Sequence, residues 1–296
     1  MEENKLWGGL NKPNLKPQEA DVTIIGLPFD EASSYRKGSA LAPQRLRDIS
    51  YHIPPSTEDG QPISGLSLVD IGDWSPLGLG QENYFMQVEE KAAGLFGNTF
   101  PIFIGGDHSV TIPILRAVNK VYSEPVGIVH LDAHLDLCSI LEGNSLSHGC
   151  TLRRGLELDS FSLENTYFIG IRSFETQELD FIKDKKINIY NSRQIFEKGA
   201  IGIAKHVSEK LSALQKVYLT IDIDVLDPAF APGTGTPKSG GISSRELLEM
   251  LRVLSELPLI GMDIVELSPP LDCSDITAFA AQRTITEILG HLAKKL

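Results

Sequence analysis

The sequence predicts an α/β fold, a parallel sheet of about eight strands covered by helices, in one domain spanning residues 1–296. Three observations lead there. Short β-rich apolar runs alternate with longer segments of helical period along the whole chain. The runs are continuously apolar instead of alternating apolar with polar, as in strands buried on both faces. No stretch rich in Pro, Gly or Ser breaks the alternation, so nothing marks a boundary between domains.

In chain order the runs are 22–27 (VTIIGL), 66–71 (LSLVDI), 100–104 (FPIFI), 126–131 (VGIVHL), 166–170 (TYFIG), 187–190 (INIY), 216–221 (KVYLTI) and 259–264 (LIGMDI). Helical patterns lie near 40–50, 84–97, 109–121, 149–157, 174–184, 192–212 and 243–256, and a last one near 274–295 closes the chain. Strand and helix in alternation imply right-handed crossovers and therefore a parallel sheet. A closed (β/α)8 barrel and an open sheet both satisfy the pattern. In either, chemistry sits beyond the carboxyl ends of the strands.

With 42% apolar and 22% charged residues, the 296-residue chain has the composition of a globular protein with a sizeable core. Its formal charge of −12 repels nucleic-acid phosphate and anionic lipid, so neither nucleic acid nor a membrane surface is expected as a partner. The three cysteines, Cys138, Cys150 and Cys273, form no CxxC pair, which argues against a disulfide scaffold and for a reducing, cytoplasmic setting. Residues 1–10 (MEENKLWGGL) contain no apolar signal region, and no run approaches the ~18 residues of a membrane helix.

Polar residues crowd three of the predicted strand ends. The third run leads into Gly105-Gly106-Asp107-His108-Ser109, the fourth ends in His130-Leu131-Asp132-Ala133-His134-Leu135-Asp136, and the seventh ends in Asp222-Ile223-Asp224, followed by Asp227. In extended chain, residues two apart share a side, so Asp132, His134 and Asp136 project together, as do Asp222 and Asp224. So many carboxylates beside apolar strands cannot all ionise without positive charge among them. Four aspartates carry about −4, which two divalent cations balance, with His108 and His134 as neutral nitrogen ligands. Carboxylate and imidazole without thiolate suits Mn²⁺, and shared carboxylates would hold the ions ~3.5–4 Å apart. Taken alone, Asp-x-Asp is a common turn or helix cap and Gly-Gly-Asp-His a common loop; it is the three segments together that point to metal. His130 lies inside its run and reads as a core histidine or one that supports the ligands from behind.

At these residues the sequence resembles the ureohydrolase family of arginases, agmatinases and their relatives. The resemblance starts at Gly26-Leu27-Pro28-Phe29-Asp30, takes in Ser34-Tyr35-Arg36, Gly72-Asp73, the three segments above, Ser147-His148-Gly149 and Gly170-Ile171-Arg172, and ends in Pro232 to Pro237 and Asp263 to Pro269. It implies an open, eight-stranded parallel sheet in a three-layer α/β/α arrangement, and assembly into homo-trimers or hexamers. It assigns His108 and Asp136 to one Mn²⁺ and His134 and Asp224 to the other, with Asp132 and Asp222 shared between them. His148 matches the family's proton-shuttle histidine and Glu266 the acid that grips a guanidinium. Thr236 lies in the substrate-side loop, and Asp227 supports the second metal segment. The implied reaction is hydrolysis of a small guanidino compound to urea, using water whose pKa a metal lowers from about 16 to about 7.

The segment Glu142 to His148 is more similar to bacterial agmatinases than to arginases, with Cys138 where arginases carry an asparagine. The implied substrate is therefore agmatine, cleaved to putrescine and urea, with 4-guanidinobutyrate or another guanidino acid as the alternative. A non-catalytic metal-binding relative is a third reading, disfavoured because all six ligand positions are filled. Two residues depart from the agmatinase pattern: Lys238 follows Thr236-Pro237 where glutamate is usual, and Cys273 stands where histidine is common. A lysine facing the ammonium of agmatine across ~8 Å would cost about 2 kcal/mol at an effective dielectric of 20, and would attract a carboxylate instead. A Lys238 that points to solvent would do neither.

Overall fold

The computed structural model describes residues 5–52 and 54–295, and its sheet is open. The eight strands are β1 Val22–Gly26, β2 Leu68–Asp73, β3 Phe100–Ile104, β4 Gly127–Leu131, β5 Thr166–Ile171, β6 Asn188–Asn191, β7 Val217–Asp222 and β8 Leu259–Val265. They pair in the order β2-β1-β3-β8-β7-β4-β5-β6, and every pairing is parallel.

The continuous apolar runs are explained by two cores. Along β1, Val22 and Ile24 enter one apolar cluster while Ile25 enters the other; along β3, Ile102 and Ile104 face Phe103 in the same way. The first cluster is closed by helices 42–50, 200–211, 244–254 and 276–295, the second by helices 81–93 and 111–121. The result is three layers with the sheet in the middle.

Two details differ from the sequence expectation. The predicted helix 192–212 is two helices, Ser192–Lys198 and Ala200–Leu211, because Gly199 takes a φ of 82° that an α-helix cannot contain. The second strand begins two residues later than its apolar run, at Leu68. Part of the stretch read as lacking a signal region, residues 1–4, lies outside the described residues. Among the described residues no helix is long and apolar enough to cross a membrane.

Strand order positions the site. The chain lays down β1 to β3 on one side and β4 to β6 on the other, then inserts β7 and β8 between them. The carboxyl ends of β3, β8, β7 and β4 therefore lie side by side at the middle of the sheet. This is where the strand order reverses and where open α/β sheets bind ligands.

Candidate metal centre and active site

Each segment is presented by tight local structure. Gly106 passes so close to Phe29 that a Cβ there would sit 1.8 Å from its carbonyl oxygen. Asp107 then caps the turn His108–Val110, its side chain accepting from Ser109 N at 3.0 Å and from Ala32 N at 2.9 Å. Beyond β4, the Asp132 carboxylate accepts His134 N at 2.6 Å, and at the last residue of β7 Asp222 accepts Asp224 N at 2.8 Å. Asp224 in turn accepts Ala133 N at 3.1 Å, tying the two loops together. Asp136 and Glu266 hold left-handed backbone, φ 55° and 63°, which turns both side chains back toward the sheet end.

The six predicted ligands converge. His108 Nδ1 lies 3.1 Å from Asp132 Oδ2, 3.1 Å from Asp136 Oδ2 and 3.3 Å from Asp222 Oδ2. His134 Nδ1 lies 3.2 Å from Asp224 Oδ2 and 3.4 Å from Asp132 Oδ1. All but His134 are buried. Burial, and the repulsion of Asp224 and Asp132, push the Asp222 carboxyl well above the carboxylate range, and burial pushes Asp224 up as well. Protein groups alone do not stabilise four charges here.

Asp263 is fully buried and accepts three hydroxyls: Thr220 at 2.6 Å, Tyr218 at 2.8 Å and Thr111 at 3.0 Å. Because the Thr220 proton goes to Asp263, its oxygen is an acceptor for His108 Nε2 at 2.9 Å, which must be N–H. The other nitrogen, Nδ1, is then free to present a lone pair. It makes no hydrogen bond, and neither do Asp132 Oδ2, Asp136 Oδ2 and Asp224 Oδ2, all buried. Buried nitrogen and carboxylate oxygens within 3.1–3.2 Å of one another and making no hydrogen bond fit divalent cations. Two sets of ligand atoms, His108-His130-Asp132 and Asp132-His134-Asp224, each lie within 4.8 Å and share Asp132. His130 belongs behind the ligands. Its Nε2 faces the His134 carbonyl at 3.1 Å, which requires N–H there, and so has no lone pair for a metal.

A cavity of about 120 Å³ opens beside the cluster, with His134, Asp136 and Asp222 at its floor and Thr236, Lys238 and Cys138 among its walls. His148 lines it too, at the first residue of the turn His148–Cys150. Its Nδ1 is 3.0 Å from Glu266 Oε1 and its Nε2 is 2.8 Å from Ser34 Oγ. Burial pulls the His148 pKa down, but the hydrogen bond and charge of Glu266 outweigh it and raise it to about 9. Glu266 is 2% exposed; burial alone would raise its carboxyl, and the bond from His148 brings it below the usual range. Its Oε1 also accepts His108 N at 2.9 Å. Glu266 thus stands behind His148 and outside the cavity lining.

Asp227 sits away from the ligands, accepting Ala229 N, Gly240 N and Gly241 N, and so shapes the loop that carries Thr236 and Lys238. Four contributors escaped the sequence reading as functional residues: Ser34, Thr220, Glu178 and Arg172. The Arg172 guanidinium donates to carbonyls of Gly170, Asp224, Val225, Leu226 and Lys238, joining the metal loop to the substrate-side loop. Thr220 had a signal, since it is two residues before Asp222 and shares its side of β7; the other three had none that spacing could reveal.

The Arginase family model matches residues 20–290. An agmatinase from Bacillus anthracis is 38% identical over 92% of this chain and 92% of its own length. A guanidinobutyrase from Pseudomonas aeruginosa is 32% identical over 91% of this chain and 85% of its own. Among solved structures, proclavaminate amidino hydrolase from Streptomyces clavuligerus superposes with a TM-score of 0.87 at 34% identity, covering 95% of both chains. With its sheet order, its histidine-aspartate cluster and these matches, the chain belongs to the arginase family of ureohydrolases.

Proposed function

We propose that this ureohydrolase releases urea from agmatine, leaving putrescine, at two Mn²⁺. His108 and Asp136 would hold one ion, His134 and Asp224 the other, and Asp132 and Asp222 both. The observation that carries the reading is the set of four buried, donorless atoms beside a cavity lined by His148. When bound, the cations would neutralise the aspartates and acidify a water to a near-neutral pKa.

The chain's own groups do the rest. Glu266 Oε1 is engaged by His148 and by His108 N, and the carboxylate lies behind His148 outside the cavity lining, so its part is to hold and charge the imidazole that faces the substrate. Against the pull of burial, the hydrogen bond and charge of Glu266 raise the His148 pKa, which favours a protonated imidazole. The departing amine needs a proton, and His148 is the imidazole on the cavity that can pass one, its Nε2 held between Ser34 N at 3.2 Å and Ser34 Oγ at 2.8 Å. The curated agmatinases at 38% identity support agmatine as the substrate.

One observation favours a second reading, a guanidino acid such as 4-guanidinobutyrate: Lys238 lines the cavity and offers a cation to a carboxylate tail. Lys238 is also exposed, and Glu175 lines the same cavity, so solvent and the opposing charge reduce the preference to a few-fold. The deciding experiment is urea release by Mn²⁺-loaded protein from agmatine, 4-guanidinobutyrate and L-arginine, with metal-stripped protein as control. Metal-dependent turnover of agmatine above the others upholds the first reading. Preference for 4-guanidinobutyrate replaces it with the second, and no urea from any of them refutes both.

A further inference from the structure

Glu178 lies in the first turn of helix Thr176–Ile182, 3% exposed, and lines the same cavity as His134 and Asp136. A buried carboxylate needs partners, and both of its oxygens are occupied. One accepts Leu137 N at 2.8 Å and the other accepts Glu175 N at 2.8 Å. The Leu137 N–H belongs to the peptide that follows Asp136, whose φ of 55° is left-handed backbone, a conformation uncommon outside glycine that a bond to the next N–H helps to hold. The rest of that turn is fastened as well. Asp136 O accepts Arg153 N at 3.0 Å, while Gln177 accepts Ser139 N at 3.0 Å and donates to Ile140 O at 2.9 Å. Two adjacent side chains of one helix thus grip three backbone groups of residues 137–140.

We propose that Glu178 is a positioning residue for the metal centre: through Leu137 N–H it imposes the left-handed turn that aims the Asp136 carboxylate at its cation, and through Glu175 N–H it fixes the adjoining cavity wall to the same point. The inference rests on the reading of Asp136 as a metal ligand. With both oxygens bound to backbone N–H groups, Glu178 is itself poorly placed to act as a ligand or to hold a cationic substrate group.

The test uses the full chain with Mn²⁺ alone as the probe, measuring the affinity of each ion by equilibrium dialysis and the coupling of the ion pair by electron paramagnetic resonance. Glu178→Gln keeps the shape and one carbonyl acceptor. It should weaken one of the two Mn²⁺, the ion assigned to His108 and Asp136, by roughly tenfold or more and alter the pair's signal. Turnover should return on raising Mn²⁺, with KM for the guanidino substrate little changed. Gln177→Ala, at an exposed position that tolerates truncation, should weaken the same ion by a smaller factor and keeps the test open if Glu178→Gln folds poorly. Wild-type Mn²⁺ affinity in folded Glu178→Gln overturns the proposal, and a raised KM beside it would make Glu178 a substrate contact. Asp136→Asn separates the two levels. If it too leaves both affinities intact, the reading of Asp136 falls and the proposal with it; if it loses an ion while Glu178→Gln does not, the proposal alone falls.

Discussion

Replacing Thr220 by valine keeps the shape of the side chain and deletes one oxygen. In the native site that oxygen accepts from His108 Nε2 at 2.9 Å and its proton goes to Asp263 at 2.6 Å. The variant leaves two buried groups short, each worth about 1–3 kcal/mol when unsatisfied. The larger figure does not apply to Asp263. It keeps the hydroxyls of Tyr218 and Thr111, and burial has already raised its pKa, so a proton can relieve it. We therefore expect a loss of about 2–3 kcal/mol in folding stability, read by urea titration of the metal-free protein. The effect on metal is separate. With Nε2 no longer anchored, the imidazole can turn and point N–H at the carboxylates. Removing such a partner costs roughly 10–100-fold in metal affinity. Mn²⁺ titration of Thr220→Val should show that loss for one ion, and Thr220→Ser should recover most of it. A valine variant that binds both ions as the wild type does would show that the Thr220–Asp263 pair does not set the orientation of His108.

Asp224→Asn should lower bound Mn²⁺ toward one per chain and abolish most turnover, measured by plasma emission and urea release; two tightly held ions in this variant would contradict the ligand assignment. His148→Ala should keep both ions and turn over slowly, and loss of metal would argue against its role as a proton donor. The His148–Glu266 pair should also leave a pH signature in metal-free protein. The folded pKa of about 9 lies above the ordinary histidine value of 6.5, so the stabilisation is complete below 6.5 and disappears as pH rises through about 9. The stability gap between wild type and His148→Gln, at most about 3 kcal/mol, should be open at pH 6 and closed at pH 10; a gap indifferent to pH would mean the pair is not ionised. Lys238→Glu should shift the ratio of kcat/KM toward cationic tails by a few-fold, the modest size following from its exposure, and an unchanged ratio would remove Lys238 from the tail's surroundings.

All eight strands were legible because each residue of a doubly covered strand enters one core or the other, which leaves a continuous apolar run such as Phe100–Ile104. The ligand segments were legible as ligand-type residues crowded at strand ends, but extended-chain parity is not what gathers them. β4 ends at Leu131, Asp136 is left-handed and Asp224 lies in the turn Ile223–Val225, so tight turns bring the side chains together. Parity holds only inside β7, where it aligns Thr220 with Asp222. Strand order was not legible. Nothing in the local sequence says that β7 and β8 pair between β3 and β4, so the meeting of His108, Thr220 and Asp263 from three neighbouring strands could not be foreseen. Glu178 reads as an ordinary residue in the first turn of a helix, and only the fold shows that it reaches a peptide 41 residues away. The break at Gly199 was missed because an amphipathic period can run straight through a glycine while the backbone does not.

The late insertion of β7 and β8 also bears on how the molecule comes into being. A chain made only as far as residue 216 has the strands of two three-stranded groups, β2-β1-β3 and β4-β5-β6, and lacks the two that pair with their inner edges, β3 and β4. Those edges are apolar and unpaired, the kind of surface that adheres to other chains. Asp222, Asp224 and Glu266 arrive with the last strands, so until then only His108, Asp132, His134 and Asp136 exist to meet a cation, and they sit on separate halves with a gap between them. The centre is thus a keystone, set last, and metal can hold the arch only once nearly the whole chain is present.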